Sequence, residues 1–512
     1  MGFYHVKHGH RIGGDAERIK AGIGRFAEKE NRRRPGKQAL TLTGIRLKEP
    51  AMQATSESAP PGAPRGQWGS RIGFILAASG SAVGLGNIWR FPYLTGENGG
   101  AAFVVVYLCC VVLLGLPLLF NELALGRRSG QDVIGAFRAT RPGTAFVVTG
   151  WLCLACCFFV LSYYSVIASW TVGYTVASLL HVKLVFEHFA ANPWFVLPLF
   201  AFFMALTVLI VEGGVERGIE RWSKILMPVL ILLCGVVILR SVTLPGAAAG
   251  IKYYLHPDFS KITGDVVMKA MGQAFFSLSV GWGLMITYGS YMAKRQDIVS
   301  SGAWVAGVDT LVAIMGGFMV FPAVFAFGLT PDAGTALTFK TLPAVFERMP
   351  AGMVVGAAFF FLLGIAALTS TISMLEVPVA WLVDEKKWPR RRAAWVVGAL
   401  AFVAGIPSAL SVGGTAWLSQ LSFAGKTGFL DIIDQIFGTT IILLICLLSS
   451  IYVGWIWGPQ PAVEEIAASS AWFTRPLLGK LTPATLWKFF IRYLCPGIVF
   501  AMLLNMLGIK LF

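Results

Sequence analysis

The chain has 512 residues, of which 56% are hydrophobic and only 13% are charged, and its mean hydropathy is +0.69. Because soluble domains carry about 25% charged residues, this composition excludes an ordinary water-soluble protein. It indicates helices that cross a bilayer, each of which needs about 20 predominantly apolar residues. The formal net charge of +16 does not indicate a nucleic-acid partner, because the basic residues concentrate in the N-terminal tail and in alternate loops.

Residues 1–67 form a polar, basic segment that precedes the first apolar run. The segment contains the run Arg32-Arg33-Arg34 and the stretch Pro60-Pro61-Gly62-Ala63-Pro64. No apolar stretch follows its early charges, so it does not resemble a cleaved signal peptide. We expect it to be a disordered cytoplasmic tail.

Eleven apolar runs follow and are predicted to be transmembrane helices. They lie near 71–93, 101–126, 145–180, 193–212, 223–243, 266–292, 299–328, 351–383, 393–411, 430–457 and 487–511. The expected fold is an all-α polytopic membrane protein. Residues 68–243 would form a first five-helix repeat, residues 244–457 a second, and residues 458–512 a loop and the eleventh helix.

The loops between these runs differ in charge, which predicts their orientation. The loops fall into two alternating sets, and one set contains only a few isolated basic residues. The other set is rich in them: Arg127, Arg128, Arg138, Arg141, Arg217, Arg221, Lys224, Lys294, Arg295, Lys386, Lys387, Arg390, Arg391, Arg392, Arg475 and Lys480. Since Lys and Arg are retained on the cytoplasmic side, the N-terminus is expected inside the cell. An odd number of spans in the cell (inner) membrane then places the C-terminus outside.

Glycine-rich polar stretches interrupt the first and sixth spans. The first reads Gly80-Ser81-Ala82-Val83-Gly84-Leu85-Gly86-Asn87, and the sixth reads Ser277-Leu278-Ser279-Val280-Gly281-Trp282-Gly283. A broken helix frees N–H and C=O groups that are costly to leave unpaired in hydrocarbon. Breaks at matching positions of two halves indicate inverted repeats with a transport site between them. The alternative is that these glycines only allow close helix packing.

The residues around the first break resemble a known family. The segments Trp68-Gly69-Ser70-Arg71, Gly84 to Tyr93 and Glu97-Asn98-Gly99-Gly100 are similar to those of the neurotransmitter:sodium symporters, in particular the bacterial eleven-helix branch. The resemblance extends from about residue 65 to the C-terminus. It implies a sodium-coupled symporter that imports a neutral α-amino acid, apolar or aromatic, by alternating access.

The resemblance implies two sodium sites built from oxygen ligands. The first would use the Ala82 carbonyl, Asn87, Ser277 and Asp309, completed by the substrate carboxylate. The second would use the carbonyls of Gly80, Val83 and Ala366 and the hydroxyls of Thr369 and Ser370.

The same resemblance implies a substrate site and two gates. Tyr164 would bind the substrate carboxylate, and Arg90 with Asp434 and Arg65 with Asp384 would form outer and inner gate pairs, with Trp68 at the inner gate. Glu122 would lie beside the sixth-span break. The full set of expected substrate-binding residues is Ala82, Gly84, Gly86, Val160, Tyr164, Phe276, Ser277, Ser279, Trp282, Ser370 and Met374.

Two positions refine the expectation. Asp309 stands where several members of the family have Asn, and its permanent charge at a sodium site predicts that chloride is not required. Gly84 stands where monoamine carriers of the family have an acidic residue, which makes an amine without a carboxylate an improbable substrate.

Other functions would make different demands on the sequence. A proton-coupled amino acid transporter of similar architecture could titrate Asp309 or Glu122. A channel or receptor-like protein would need a continuous polar lining, whereas these polar residues converge on one site. The sequence contains no nucleophile–base motif that would indicate an enzyme. The expected partners are a small amino acid and the lipid bilayer, with the protein a monomer or homodimer.

Overall fold

The computed structural model describes residues 66–329, 337–477, 479–506 and 508–509. The expected disordered tail therefore lies outside the described residues, except for its last two positions. The described part consists of helices joined by short loops. The membrane-type helices are α1 (Arg71–Ala82), α2 (Gly86–Glu97), α3 (Ala101–Ser129), α4 (Val147–Leu179), α5 (Pro193–Glu212), α6 (Val215–Val242), α7 (Gly264–Ser277), α8 (Leu284–Ser290), α9 (Ile298–Ala326), α10 (Gly352–Asp384), α11 (Arg390–Leu410), α12 (Phe429–Ile456) and α13 (Pro483–Met506).

Shorter elements connect these helices. The helical ones include Val133–Thr140, Phe186–Ala190, Ala247–Leu255, Leu337–Thr341, Leu342–Arg348, Ala416–Gln420 and Pro459–Ala467. A small antiparallel hairpin, β1 (Ser422–Phe423) and β2 (Lys426–Thr427), precedes α12, with Ser422 opposite Thr427.

Nine helices of the described ranges are long and apolar enough to cross a membrane, or ten if the bent pair α1 and α2 counts as one span. The separate helices α7 and α8 occupy the predicted sixth span. The expected all-α polytopic fold, with a broken first and sixth span, is confirmed.

Two boundaries differ from the prediction. The fifth span begins at Val215 instead of residue 223, because the charged turn Val215–Glu220 is already helical. Arg217, Arg221 and Lys224 therefore lie on α6 and not in a loop. The predicted continuous span 266–292 is two helices that end at Ser277 and begin at Leu284.

The centre of the molecule is formed by α4 and α10, which are 33 residues each and pack extensively against one another. Helix α1 packs against α6, α9 and α10. Buried polar side chains concentrate where α1, α7, α9 and α10 meet, whereas large apolar side chains such as Leu232 and Leu239 of α6 are exposed. Exposed apolar surface of this kind is suited to contact with lipid. The broken spans are thus enclosed by continuous helices.

Candidate substrate and sodium site

The break in the first span is a short extended segment between α1 and α2. Val83 is extended, and the two helices are bent by 53°. The backbone N–H of Gly84 donates to Asn87 Oδ1 at 3.1 Å, and that of Leu85 donates to Tyr164 Oη at 3.0 Å. Side chains thus satisfy the N–H groups that the interrupted helix releases, as a buried break requires.

The break in the sixth span runs from Leu278 to Gly283. Ser279, Gly281 and Gly283 have φ of 53°, 81° and 76°, the left-handed region that favours glycine. The N–H of Gly281 donates to Glu122 Oε1 at 2.6 Å, as expected for a carboxylate beside this break. The two breaks also touch each other, because Ser279 Oγ donates to the Ser81 carbonyl at 3.0 Å.

One buried cluster contains the side chains predicted for the first sodium site. Asn87 Nδ2 donates to Ser277 Oγ at 3.1 Å and to Asp309 Oδ1 at 2.7 Å. Ser277 Oγ donates to Asp309 Oδ2 at 2.6 Å. Ala82, whose carbonyl completes the predicted set, is the last residue of α1. The structure therefore brings a carboxylate, an amide and a hydroxyl from three separate spans together.

A second cluster lies where α10 passes α1. Ser370 Oγ is 3.3 Å from the Val83 carbonyl and 3.2 Å from that of Ala366. Thr369 Oγ1 lies 3.0 Å from the same Ala366 carbonyl. A Cβ added at Gly80 would lie 3.1 Å from Thr369 Cβ, so α1 and α10 approach closely there. Most of the oxygen ligands predicted for the second sodium site therefore lie close together: the carbonyls of Val83 and Ala366 and the hydroxyls of Thr369 and Ser370.

These clusters suit a hard monovalent cation better than a transition metal. No group of three or more His, Cys, Asp or Glu able to hold a metal occurs in the part of the chain that the structure describes. The donors are instead carbonyls, hydroxyls and one amide, with Asp309 as the single carboxylate of the first cluster. Carbonyls at broken helices and neighbouring hydroxyls are the ligands that coordinate sodium in membrane transporters.

Tyr164 and Gly84 face each other at the first break. A Cβ added at Gly84 would lie 2.8 Å from both Tyr164 Oη and Ser370 Oγ. One added at Gly86 would lie 2.8 Å from the Phe276 ring. The two glycines therefore keep space open between the backbone and the side chains predicted to contact substrate.

The remaining predicted substrate residues are apolar, and all of them except the partly exposed Phe276 are buried. Trp282 is in edge-to-face contact with Phe276, with ring centroids 5.7 Å apart. Val160 and Met374 are also buried. These side chains supply the apolar wall that a small ligand needs, next to the polar groups of the two breaks.

A cavity of about 200 Å³ lies beside this region. Phe276 lines the cavity, and the guanidinium carbon of Arg90 lies 4.8 Å from the centre of the Phe276 ring. The predicted partner of Arg90, Asp434, accepts a 2.6 Å hydrogen bond from Tyr163. Arg90 is thus engaged with the ring in this arrangement, and the Arg90–Asp434 gate stays a prediction.

Trp68, one of the predicted gating residues, is buried just before the start of α1. Its indole N–H donates to the Tyr288 carbonyl at 2.9 Å, and its ring is in edge-to-face contact with those of Phe74 and Tyr288. Asp384 is the last residue of α10, while Arg65 lies outside the described residues. The proposed Arg65–Asp384 pair therefore stays a prediction.

Sequence reasoning missed two residues of this site. Tyr107 of α3 donates to Ser277 Oγ at 3.2 Å, and Gln273 of α7 donates from Nε2 to the Gly86 carbonyl at 3.0 Å. A lone amide in an apolar run was a usable signal for Gln273, because polar groups are costly in a membrane. Tyr107 lies in a uniformly apolar stretch and gave no such signal.

Comparison with known families identifies the chain. Residues 65–196 and 180–510 match the Sodium:neurotransmitter symporter family. The chain belongs to this family. It is therefore a multi-pass membrane protein of a sodium-dependent symporter family and not an enzyme, and it binds a small-molecule substrate within the membrane.

Individual relatives of this symporter cover most of its length. The uncharacterized sodium-dependent transporter YhdH of Bacillus subtilis (strain 168) is 40% identical over 457 residues, which are 87% of this chain and 98% of YhdH. The uncharacterized sodium-dependent transporter MJ1319 of Methanocaldococcus jannaschii is 30% identical over 428 residues, covering 78% of this chain and 84% of MJ1319. The crystal structure of MhsT in complex with L-phenylalanine has 41% identity and a TM-score of 0.78, covering 86% of this chain and 100% of MhsT.

Proposed function

We propose that this symporter imports a neutral α-amino acid with an apolar or aromatic side chain, together with two sodium ions and without chloride. MhsT, which is 41% identical, was crystallised with L-phenylalanine. An α-amino acid has a carboxylate, an ammonium group and a side chain, so its binding needs three distinct environments. The carboxylate and the side chain each have a candidate environment among the residues around the two breaks.

The observation that carries the proposal is the contact between Tyr164 and the first break. Tyr164 Oη accepts from the Leu85 N–H at 3.0 Å, which leaves the hydroxyl proton of Tyr164 available as a donor. The N-terminal end of α2 begins beside it, at Gly86. A substrate carboxylate here would meet a hydroxyl and the positive end of a helix, both of which favour an anion.

The cation sites support coupling to sodium. Asp309 supplies a permanent negative charge to the first cluster, and the substrate carboxylate would supply a second when it is bound. A sodium ion at Asn87, Ser277 and Asp309 would thus bind more tightly with substrate than without it, which is thermodynamic coupling. The neutral donors around Thr369 and Ser370 would hold the second ion.

The apolar wall supports the choice of side chain. Val160, Phe276, Trp282 and Met374 carry no charge that could pair with an acidic or basic substrate. Phe276 and Trp282 lie at the sixth-span break and contact each other, and Val160 and Met374 lie one helical turn from Tyr164 and Ser370. Burying a charged side chain among them without a partner would be costly. Neutral apolar and aromatic amino acids are therefore the expected substrates.

Alternating access would then operate around these sites, with the outer path past Phe276 and the inner path past Trp68. The positive-inside pattern places the N-terminus in the cytoplasm and the C-terminus outside the cell membrane. Import is driven by the sodium gradient, because the ions and the substrate move inward together.

Purified protein in liposomes tests the proposal. An inward sodium gradient should drive saturable accumulation of a neutral amino acid, identified first by a thermal-shift screen with and without sodium. Equal uptake with choline replacing sodium, at a matched membrane potential, would contradict sodium coupling. Uptake driven by a proton gradient alone would instead support the proton-coupled alternative, and non-accumulative flux would support a channel.

A further inference from the structure

Glu220 is a buried carboxylate that connects α6 to the beginning of α1. Its side chain is 2% exposed, although it lies in the charged turn Val215–Glu220 that opens the fifth span. Oε2 accepts from the Gly69 N–H at 2.7 Å, and Oε1 accepts from Ser70 Oγ at 2.8 Å. Lys224, one turn later on α6, donates to Oε1 at 2.6 Å and balances the charge.

The contact is built into the start of α1. Ser70 is the N-cap of α1, and its Oγ accepts from the Gly73 N–H at 3.0 Å. A Cβ at position 73 would lie 2.0 Å from Glu220 Oε1, so only glycine leaves room for the carboxylate against the helix. Glu220 thus contacts the start of α1 in three ways. It accepts from the Gly69 backbone and from the N-cap Ser70, and it packs against Gly73.

The other end of α1 carries the oxygen donors of the candidate sodium sites. The helix has 12 residues, which at 1.5 Å per residue span about 18 Å. It ends at Ala82, next to Val83, whose carbonyl lies 3.3 Å from Ser370 Oγ. Because α1 is a short, rigid helix broken from α2, a displacement of its first turn would also displace these donors.

Opening the site toward the side from which the chain enters α1 requires Trp68 and this first turn to move. The hydrogen bonds from Gly69 and Ser70 to Glu220 would then break, and the carboxylate would gain access to water. We propose that Glu220 is a positioning residue that holds α1 closed and thereby sets both the inner accessibility of the site and its affinity for sodium. The sodium part of this inference rests on the proposed function, whereas the accessibility part does not.

An accessibility reporter tests the inference. Ala78 on α1 is completely buried, and Ala78→Cys in a Cys109→Ala background places a thiol on α1 that a maleimide should reach only when this helix is displaced. With Glu220→Ala added, the rate of alkylation by a small maleimide in sodium-free proteoliposomes should rise at least fivefold. Glu220→Gln keeps one acceptor oxygen and should give an intermediate rate. The parent without Ala78→Cys corrects for the native thiols.

A matched control separates positioning from a general effect on this turn. Glu216 lies on the same turn but is exposed, so Glu216→Gln, which keeps the size of the side chain, should leave the alkylation rate unchanged. In substrate-binding assays, Glu220→Ala should raise the sodium concentration for half-saturation at least threefold. A folded Glu220→Ala with wild-type alkylation would overturn the inference. If wild type takes up no amino acid with sodium, the proposed function fails while the alkylation result still stands.

Discussion

The Ser277 hydroxyl donates a hydrogen bond of 2.6 Å to Asp309 Oδ2, and both side chains are buried. Asn87 donates to the other carboxylate oxygen at 2.7 Å. Each carboxylate oxygen thus accepts a hydrogen bond, but neither donor carries a positive charge. A buried charge is costly unless it is paired, so a bound cation would complete this site.

Asp309 should make transport independent of chloride, because it supplies the negative charge that a mobile anion would otherwise provide. Wild-type uptake should persist when gluconate replaces chloride. Asp309→Asn should lose most of its activity or become stimulated by chloride, as measured by sodium-driven uptake in proteoliposomes.

The exposed Asp258 provides the control for Asp309, since its carboxylate lies outside the cluster and accepts from Ser260. Asp258→Asn should transport like wild type in both salts. Loss of wild-type uptake without chloride would show that Asp309 does not compensate the charge.

Tyr164→Phe should weaken substrate binding about tenfold or more. The change removes the donor proposed for the substrate carboxylate and leaves the Leu85 N–H without its 3.0 Å acceptor. Losing a hydrogen bond to a charged group in a buried site costs about 1.5–3 kcal/mol. The measurement is equilibrium binding of radiolabelled amino acid to the purified protein.

Tyr174 is a suitable comparison because it is buried on the same helix and donates to the Phe339 carbonyl, away from the breaks. Tyr174→Phe should therefore lower stability without changing affinity. Equal affinity of wild type and Tyr164→Phe would assign Tyr164 to packing alone.

Gly84→Ala should abolish binding or reduce it severely while the protein still folds. The added methyl group would lie 2.8 Å from Tyr164 Oη and from Ser370 Oγ, so the side chains around the break must shift. Gly235→Ala on α6 meets no atom within 4 Å and should bind substrate normally. Size-exclusion profiles establish folding, and binding without a change in affinity would contradict the close approach at Gly84.

Most of the fold could be predicted from the sequence because apolar length determines where helices cross a membrane. The predicted fourth span, 193–212, has the same bounds as α5. The start of α6 was wrong because the turn Val215–Glu220 contains three charged residues and reads as a loop. Hydrogen bonds from Gly69 and Ser70 at the start of α1 stabilise the Glu220 carboxylate of this turn, and such contacts cannot be derived from local composition.

The breaks were predictable from glycine and polar residues inside apolar runs, but the partners of the freed groups were not. Tyr107 and Gln273 reach the site from positions 170 and 187 residues away from their partners, and Glu220 reaches the start of α1 from a position 151 residues away. Their roles depend on tertiary packing, which periodicity does not encode. The family resemblance predicted the ligand sets, because related proteins share three-dimensional contacts that cannot be read from a single sequence.

The last prediction concerns the loop helix Pro459–Ala467, where Glu465 is 4% exposed. Glu465 accepts from Arg127 Nε at 2.8 Å and from Lys294 Nζ at 2.9 Å. Burial raises the pKa of Glu465, but the hydrogen bond from Lys294 and the charge of Arg127 outweigh it, so the pKa lies below its ordinary value. The lowered pKa means that these pairs stabilise the folded state above the unfolded pKa of about 4.3.

That stabilisation should be lost as the pH falls from about 4.3 through the lower folded-state pKa of Glu465, since protonation of the carboxylate breaks the pairs. The contribution of these pairs to the melting temperature of wild type in detergent should therefore be constant near pH 7 and should fall below about pH 4.3. Glu465→Gln should melt lower at pH 7, because leaving Arg127 without its buried partner costs about 3–5 kcal/mol. Its melting temperature should also depend less on pH.

Glu187→Gln removes an exposed pair with Lys340 and should behave like wild type, since such pairs contribute little. Identical pH dependence of wild type and Glu465→Gln would show that another carboxylate controls acid stability.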